Sequence, residues 1–414
     1  MGVGVILGAG IYVIIGEASG FTGNAIWLAF LIGAIVATFS GLSYAELSSR
    51  YPKAGAEYSY VSRAFGKRVG WIAGWLILFS NIIAGTAVSV GFAQYFSALF
   101  STPIIPVSII LLIICGFILY IGVQETAHLT VIFMIIEALG LAIIIAIGIP
   151  SIGSVDYLEM ANGLKGVITG GVLIFFSYLG FQGITTLAEE TENPEKTIPK
   201  AIITALIITT IIYVLVGITA VSTVPWQELS QSDAPLAMIA ESVFGETSFM
   251  VLSGIALFST FNTVLMSMLA GSRLVYGISK GRGLPKIFMK CSKKALTPYI
   301  SIITVVIISI GILFLGNLTW IANLTNFTVF TVFIMVNATL IYLRKKEPMD
   351  CGFKIPGNIK GVPIVSVLGI ISSVFMLSYI ATDIIIAGII LVVVGIVFAL
   401  TLDKLSEHVY LEED

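Results

Sequence analysis

The chain has 414 residues, 57% of them hydrophobic and 11% charged, with a mean hydropathy of +1.05 and a formal net charge of -2. A soluble globular domain carries about 25% charged residues, so this composition excludes a water-soluble globule, and 21 basic against 23 acidic residues excludes a basic nucleic-acid binder. Three cysteines (Cys115, Cys291, Cys351) and two histidines (His128, His408) are too few for a disulfide framework or a His/Cys metal cluster.

A helix that crosses a bilayer needs about 20 mostly apolar residues. Twelve such runs follow one another, near 3–15, 25–47, 70–96, 105–121, 129–148, 166–187, 201–222, 247–269, 299–315, 321–343, 362–380 and 384–402. The first is short because Met1 lies inside an apolar run, with no polar leader and no signal-peptide n-region. The expectation is that the natural amino terminus is missing or misassigned.

The basic residues sort by loop. Arg50, Lys53, Arg63, Lys67 and Arg68 follow span two, and Lys196 and Lys200 follow span six. Arg273 to Lys294 surround the end of span eight, Arg344 to Lys360 follow span ten, and Lys404 follows span twelve. Of the 21, only Lys165 lies in an odd-numbered loop. The positive-inside rule then predicts cytoplasmic even-numbered loops and cytoplasmic termini for a multi-pass protein of the cell membrane. An error of one crossing would scramble the pattern, so the charges support twelve spans independently. Neither of the longest polar connections can form a core of its own. These are 50–68, whose 59–65 portion reads as a short amphipathic helix, and 224–246, which carries Pro225 and Pro235.

Gly8-Ala9-Gly10 interrupts span one, and Ser177-Tyr178-Leu179-Gly180-Phe181-Gln182-Gly183 interrupts span six. A glycine inside a helix costs about 1 kcal/mol relative to alanine. Such residues either let neighbouring helices approach closely or mark discontinuous helices. Spans one and six are five apart, so two halves of opposite orientation would each begin with a broken helix, as in an inverted repeat with a midplane site.

These breaks carry a family resemblance. Gly8-Ala9-Gly10-Ile11-Tyr12, Ser43-Tyr44-Ala45-Glu46-Leu47, the run Tyr51-Pro52-Lys53-Ala54-Gly55-Ala56-Glu57-Tyr58 and Gly74-Trp75 resemble the first half of an amino acid–polyamine–organocation transporter. Phe175-Phe176-Ser177-Tyr178-Leu179-Gly180-Phe181, then Glu189 to Pro194 and Ile198-Pro199, resemble that family's sixth helix and its exit. Arg273-Leu274-Val275-Tyr276 with Gly283-Leu284-Pro285 resembles the end of its eighth. The resemblance covers essentially the whole chain. It implies an all-α membrane protein with a LeuT-like 5+5 inverted repeat, discontinuous helices one and six, and two extra C-terminal helices. The corresponding units are 1–150, 151–343 and 344–414. It also implies secondary active transport by alternating access, by proton-coupled symport or amino acid exchange, and no enzymatic activity.

An unwound helix offers free N–H groups on one side and free C=O groups on the other. Around Gly8, Ala9, Gly10 and Ile11 a carboxylate can approach the backbone donors at the positive end of the following half-helix. Near Phe175, Phe176, Tyr178 and Gly180, carbonyls can accept from an ammonium group. Together these groups would recognise an amino acid by its backbone, whereas a polyamine would leave the donors unused. The resemblance implies that Phe176 is the aromatic gate over the substrate; its plain alternative is one more apolar residue in a phenylalanine-rich span.

Glu137 lies roughly 12 Å into span five at 1.5 Å per residue. An ionised carboxylate there costs about 2.5–3.5 kcal/mol. Proton-linked relatives often carry a lysine in this region, and this chain has no deep basic residue. Three roles fit: a proton-coupling group, a counter-charge for a cation, or a protonated carboxyl bonded to a neighbouring helix. Ser259, Thr260, Asn262 and Thr263 in span eight can supply oxygens to a sodium ion, although such hydroxyls often bond back to their own helix. Glu189, Glu190, Glu192 and Glu195 form an inner gate or a solvated cluster. Glu46 is expected to cap or pair at the inner end of span two, and Glu17 and Asp383 to lie at the outer face. Asn81, Ser80 and Asn326 are candidates for the side-chain wall. No cofactor is expected beyond H⁺ or Na⁺ as a coupling ion, and the partners expected are a small-molecule amino acid and the lipid bilayer.

Among rival classes, Gly277-Ile278-Ser279-Lys280-Gly281 matches G-x-S-x-G but falls in a basic loop instead of a strand-to-helix elbow. The chain has no H-E-x-x-H and no G-K-[ST]. A polyamine or organocation carrier, a transporter-like receptor and a channel remain the alternatives.

Overall fold

In hydrocarbon a backbone N–H or C=O has no water to bond, so long apolar runs close their hydrogen bonds within helices. The computed structural model describes residues 2–52, 56–122, 127–280, 284–292, 295–347, 351–359 and 361–410. Lys53, Ala54 and Gly55 of the long motif, Gly281 and Gly283 lie outside the described residues.

The first run is cut in two. Helix α1 (Gly2–Ile6) stops, Leu7, Gly8 and Ala9 leave the helix, and α2 (Gly10–Thr22) resumes. This element continues past the expected end at 15, because Glu17 finds a donor in Thr319 at 3.0 Å and Ser19 and Thr22 bond back to Gly16 and Ala18. Gly23, at φ 66°, and a short turn separate it from α3 (Ile26–Arg50). Then come α4 (Ala56–Phe65), which contains the expected amphipathic helix, α5 (Lys67–Phe100), α6 (Ile104–Ile121) and α7 (Ala127–Gly148).

The sixth run is broken more extensively than the sequence suggests. Helix α8 (Gly163–Ile174) tightens into a 3-10 turn over Phe175–Tyr178, Leu179 is extended, and a second 3-10 stretch runs over Phe181–Glu190. Beyond it lies α9 (Pro194–Thr223), and the expected outer connection folds into α10 (Trp226–Gln231) and α11 (Pro235–Phe244). The chain continues through α12 (Glu246–Lys280), α13 (Tyr299–Ile312) and α14 (Leu318–Lys346). A two-residue antiparallel ladder, β1 (Asn358–Ile359) with β2 (Val362–Pro363), precedes α15 (Ile364–Leu377) and α16 (Thr382–Tyr410). Among the described residues, nine helical segments are long and apolar enough to cross a membrane, and α11, α13 and α15 are shorter apolar helices. This is a multi-pass, all-helical membrane protein.

The largest fully buried side chains include Tyr12, Tyr44, Tyr60, Tyr95, Tyr178 and Tyr213. A buried tyrosine brings apolar area together with a hydroxyl that wants a partner. Here the hydroxyls tie helices together: Tyr95 donates to the Tyr12 carbonyl at 3.1 Å, and Tyr44 to Glu57 at 3.2 Å.

Glu46 at the end of α3 is fully buried and holds two guanidinium groups. Arg344 of α14 reaches it with both Nη2 and Nε, the latter at 2.7 Å, and Arg50 Nε donates at 3.0 Å. The Ile355 N–H donates to its other oxygen at 2.9 Å, which fastens the segment after α14 onto α3. Nearby, Glu347 accepts from Tyr51 and Arg63 at the surface, and these bonds hold its carboxyl below the ordinary value. Removing the acid from the buried cluster strands two cations, which costs about 3–5 kcal/mol, whereas an exposed pair contributes about 0–1 kcal/mol. Glu46→Ala is therefore expected to lower the thermal unfolding midpoint in detergent strongly, and Glu347→Ala hardly at all.

Candidate functional site

The two breaks meet. A Cβ added at Gly10 would stand 2.8 Å from the Ser177 Cα, closer than real side chains come to backbone, so the start of α2 lies directly against the 3-10 turn that follows α8. At Gly8 the nearest atom would be Thr263 Oγ1, at 3.2 Å. Glycine is thus needed at position 10 for close approach. At position 180 it is needed for conformation, since φ 120° is a region that side chains avoid.

Each break leaves backbone groups without an intrahelical partner. In a continuous helix the Ile6 carbonyl would accept from the Gly10 N–H. Here it accepts from Tyr213 Oη of α9 at 2.8 Å, and the same hydroxyl lies 3.1 Å from the Ser177 carbonyl. The Ala9 N–H donates to Thr263 Oγ1 of α12 at 3.2 Å, and Asn326 Nδ2 of α14 donates to the Val172 carbonyl near the end of α8 at 2.7 Å. The first N–H groups of α2, those of Gly10, Ile11 and Tyr12, point out of the helix start with its positive dipole end. Ser177 Oγ and Asn326 Oδ1 are buried without a partner.

The residues proposed from sequence divide by what they touch. Gly8, Ala9, Gly10 and Ile11 form the first break and its exit. Phe175 packs on Phe330 and Phe333 of α14, with centroids at 4.4 and 5.9 Å. Tyr178 lies edge-on to Tyr213 and donates to the Phe30 carbonyl of α3 at 3.0 Å. The side chains of Phe175 and Tyr178 thus brace the break. The Phe176 carbonyl accepts the Leu179 N–H at 3.3 Å in the turn, and the Phe176 side chain is buried.

Glu137 is buried between α7 and α12. Its Oε1 accepts from Ser259 at 3.1 Å, and its carbonyl accepts from Tyr12 Oη of α2 at 2.8 Å. Gly140, one turn on, would press a Cβ to within 2.3 Å of that hydroxyl. Thr260 donates to its own helix at Ala256 and Leu257, so Thr263 is the span-eight hydroxyl that reaches the first break. Ser80 and Asn81 bond back to Ile77. Glu17 and Asp383 are partnered by Thr319 and by Trp320 of α14. Sequence reasoning passed over Tyr213, although a lone tyrosine amid Ile211, Ile212, Val214 and Leu215 was a usable signal, because its hydroxyl needs a partner there.

A profile of the amino acid permease family matches residues 1–402. The branched-chain amino acid permease BcaP of Bacillus subtilis is 28% identical over 402 residues, covering 91% of this chain and 85% of that protein. The methylthioribose transporter of the same organism is 28% identical over 389 residues, covering 88% and 84%. The vacuolar cationic amino acid transporter 4 of Arabidopsis thaliana is 28% identical over 378 residues, covering 84% and 62%. By their names these relatives are transporters and not enzymes.

The packing at Gly10 yields a prediction with a built-in control. Gly10→Ala drives a methyl into the Ser177 backbone and is expected to destabilise by about 1–3 kcal/mol. Gly254→Ala meets nothing within 4 Å on α12 and is expected to be neutral or stabilising by up to about 1 kcal/mol. Thermal unfolding of the two variants in one detergent should shift in opposite directions or in the first case only.

Proposed function

We propose that this chain, which belongs to the amino acid permease family, is a secondary active transporter that carries amino acids across the cell membrane by alternating access. The observation that carries this reading is the contact of the two helix breaks, with Gly10 against Ser177. In this reading the N–H groups at the start of α2, which have no intrahelical partner, face carbonyls of the second break. An α-amino acid presents a carboxylate to the first set and an ammonium group to the second, with Phe176 closing over it. The branched-chain and cationic substrates named for the relatives support this substrate class.

The proposed topology has twelve crossings. In it α2 and α3 are separate crossings joined at Gly23, the short apolar helices α13 and α15 also cross, and two inverted five-helix repeats precede a C-terminal pair. Both termini and the basic loops then face the cytoplasm, following the positive-inside rule.

Coupling in this reading is to protons through Glu137. Its partner at Oε1 is a neutral hydroxyl that can serve the carboxylate as donor and the carboxylic acid as acceptor. The same residue is tied to α2 through its backbone carbonyl, which accepts from Tyr12 Oη. Protonation there changes the charge held between α7, α12 and the half-helix that follows the first break.

Counterflow of labelled leucine and labelled arginine in proteoliposomes tests the transport reading. Exchange across the bilayer is expected for a carrier. Binding without flux would mean a receptor, flux without counterflow a channel, and stabilisation by polyamines alone an organocation carrier. Glu137→Gln should remove the stimulation of net uptake by an inward proton gradient while leaving exchange. Unchanged pH dependence in that variant, or an absolute need for sodium, would overturn proton coupling through this group.

A further inference from the structure

We propose that Tyr213 is a positioning residue of the transport site: its hydroxyl, shared between the carbonyls of Ile6 and Ser177, holds the two helix breaks at the separation at which an amino acid fits between them. The proposal rests on the substrate reading above and adds a residue outside both breaks.

The hydroxyl stands 2.8 Å from the last carbonyl of α1 and 3.1 Å from the Ser177 carbonyl, 207 and 36 residues away in sequence. Both carbonyls are exposed by the breaks. Ile6 has lost the Gly10 N–H. Ser177 has lost the residue four ahead, because extended Leu179 and Gly180, at φ 120°, turn the chain away. A tyrosine hydroxyl has one proton, so a single donor serves both segments and their separation is set by one atom on a third element, α9.

That atom is itself held firmly. Tyr213 is fully buried, its ring lies 5.3 Å from that of Tyr178 and 5.8 Å from that of Phe30, and the Tyr178 hydroxyl is anchored on the Phe30 carbonyl. The ring is therefore fixed by α3 and by the second break, while the hydroxyl reaches across to the first. Without the hydroxyl both carbonyls lose their shared donor. The two segments then lose the atom that ties them, and the groups that would grip the two ends of a ligand lose their spacing.

Tyr213→Phe removes the hydroxyl and keeps the ring. Tyr95→Phe is the matched control, because Tyr95 also donates from a buried site to a backbone carbonyl, that of Tyr12, but this carbonyl lies within continuous α2. Wild-type counterflow with labelled leucine and arginine comes first; absence of counterflow with both would remove the substrate reading before any variant is made. With whichever probe is carried, Tyr213→Phe is expected to raise KM about tenfold, the range for one lost hydrogen bond. Its maximal rate per folded protein should stay within about twofold, and Tyr95→Phe should leave KM within about twofold. A purely structural hydroxyl would lower the amount of folded protein and the maximal rate with KM unchanged. That result, equal KM shifts in the two variants, or failure of Tyr213→Phe to fold would overturn the proposal.

Discussion

A backbone polar group surrounded by hydrocarbon must find a partner within the protein, and the two helix breaks multiply such groups where water is scarce. Their partners come from three other helices. Thr263 on α12 takes the Ala9 N–H, Tyr213 on α9 serves the Ile6 and Ser177 carbonyls, and Asn326 on α14 serves the Val172 carbonyl. The broken segments can exist only where these helices stand, and the side chains in question would be unpaired if the breaks closed. Close approach of the breaks adds a second requirement, since the Ser177 backbone leaves no room for a Cβ at Gly10.

Two buried acids show how differently the same functional group can be accommodated. Glu46 sits between the guanidinium groups of Arg50 and Arg344 and receives the Ile355 N–H, so each carboxylate oxygen has a charged or backbone donor. Such an arrangement fixes one geometry, which suits a structural tie between α3 and α14. Among the described residues Glu137 makes no ion pair; its side-chain donors are neutral, Ser259 and Asn262 of α12. Of these two acids only Glu137 lacks a cationic partner among the described residues, which is consistent with the proton-exchange role proposed for it.

Much of the candidate site was legible in the residues themselves. Glycines at 8, 10 and 180 stood out against apolar helices, Glu137 stood out as an acid far from any loop, and Glu46 was expected to cap or pair, of which the structure shows the pairing. Helix ends were less legible, because hydropathy falls at Glu17 while the helix continues to Thr22 on local serine and threonine bonds and the Thr319 contact. The second break was read as starting at Ser177, but the helix tightens from Phe175, where the aromatic ring seats on Phe330 and Phe333. Thr260 and Thr263 were equivalent candidates until the helix face chose between them.

The amino-acid sequence by itself determined that the chain lives in a membrane, where its helices are interrupted and which acid lies deep, since these follow from the composition of short contiguous segments. Only the tertiary structure decided that Gly10 rests on Ser177, that Thr263 reaches Ala9 across 254 residues and that Tyr213 bridges both breaks. Hydropathy sums over neighbours in the chain, whereas a hydrogen bond depends on a few tenths of an ångström between atoms that the chain order keeps far apart.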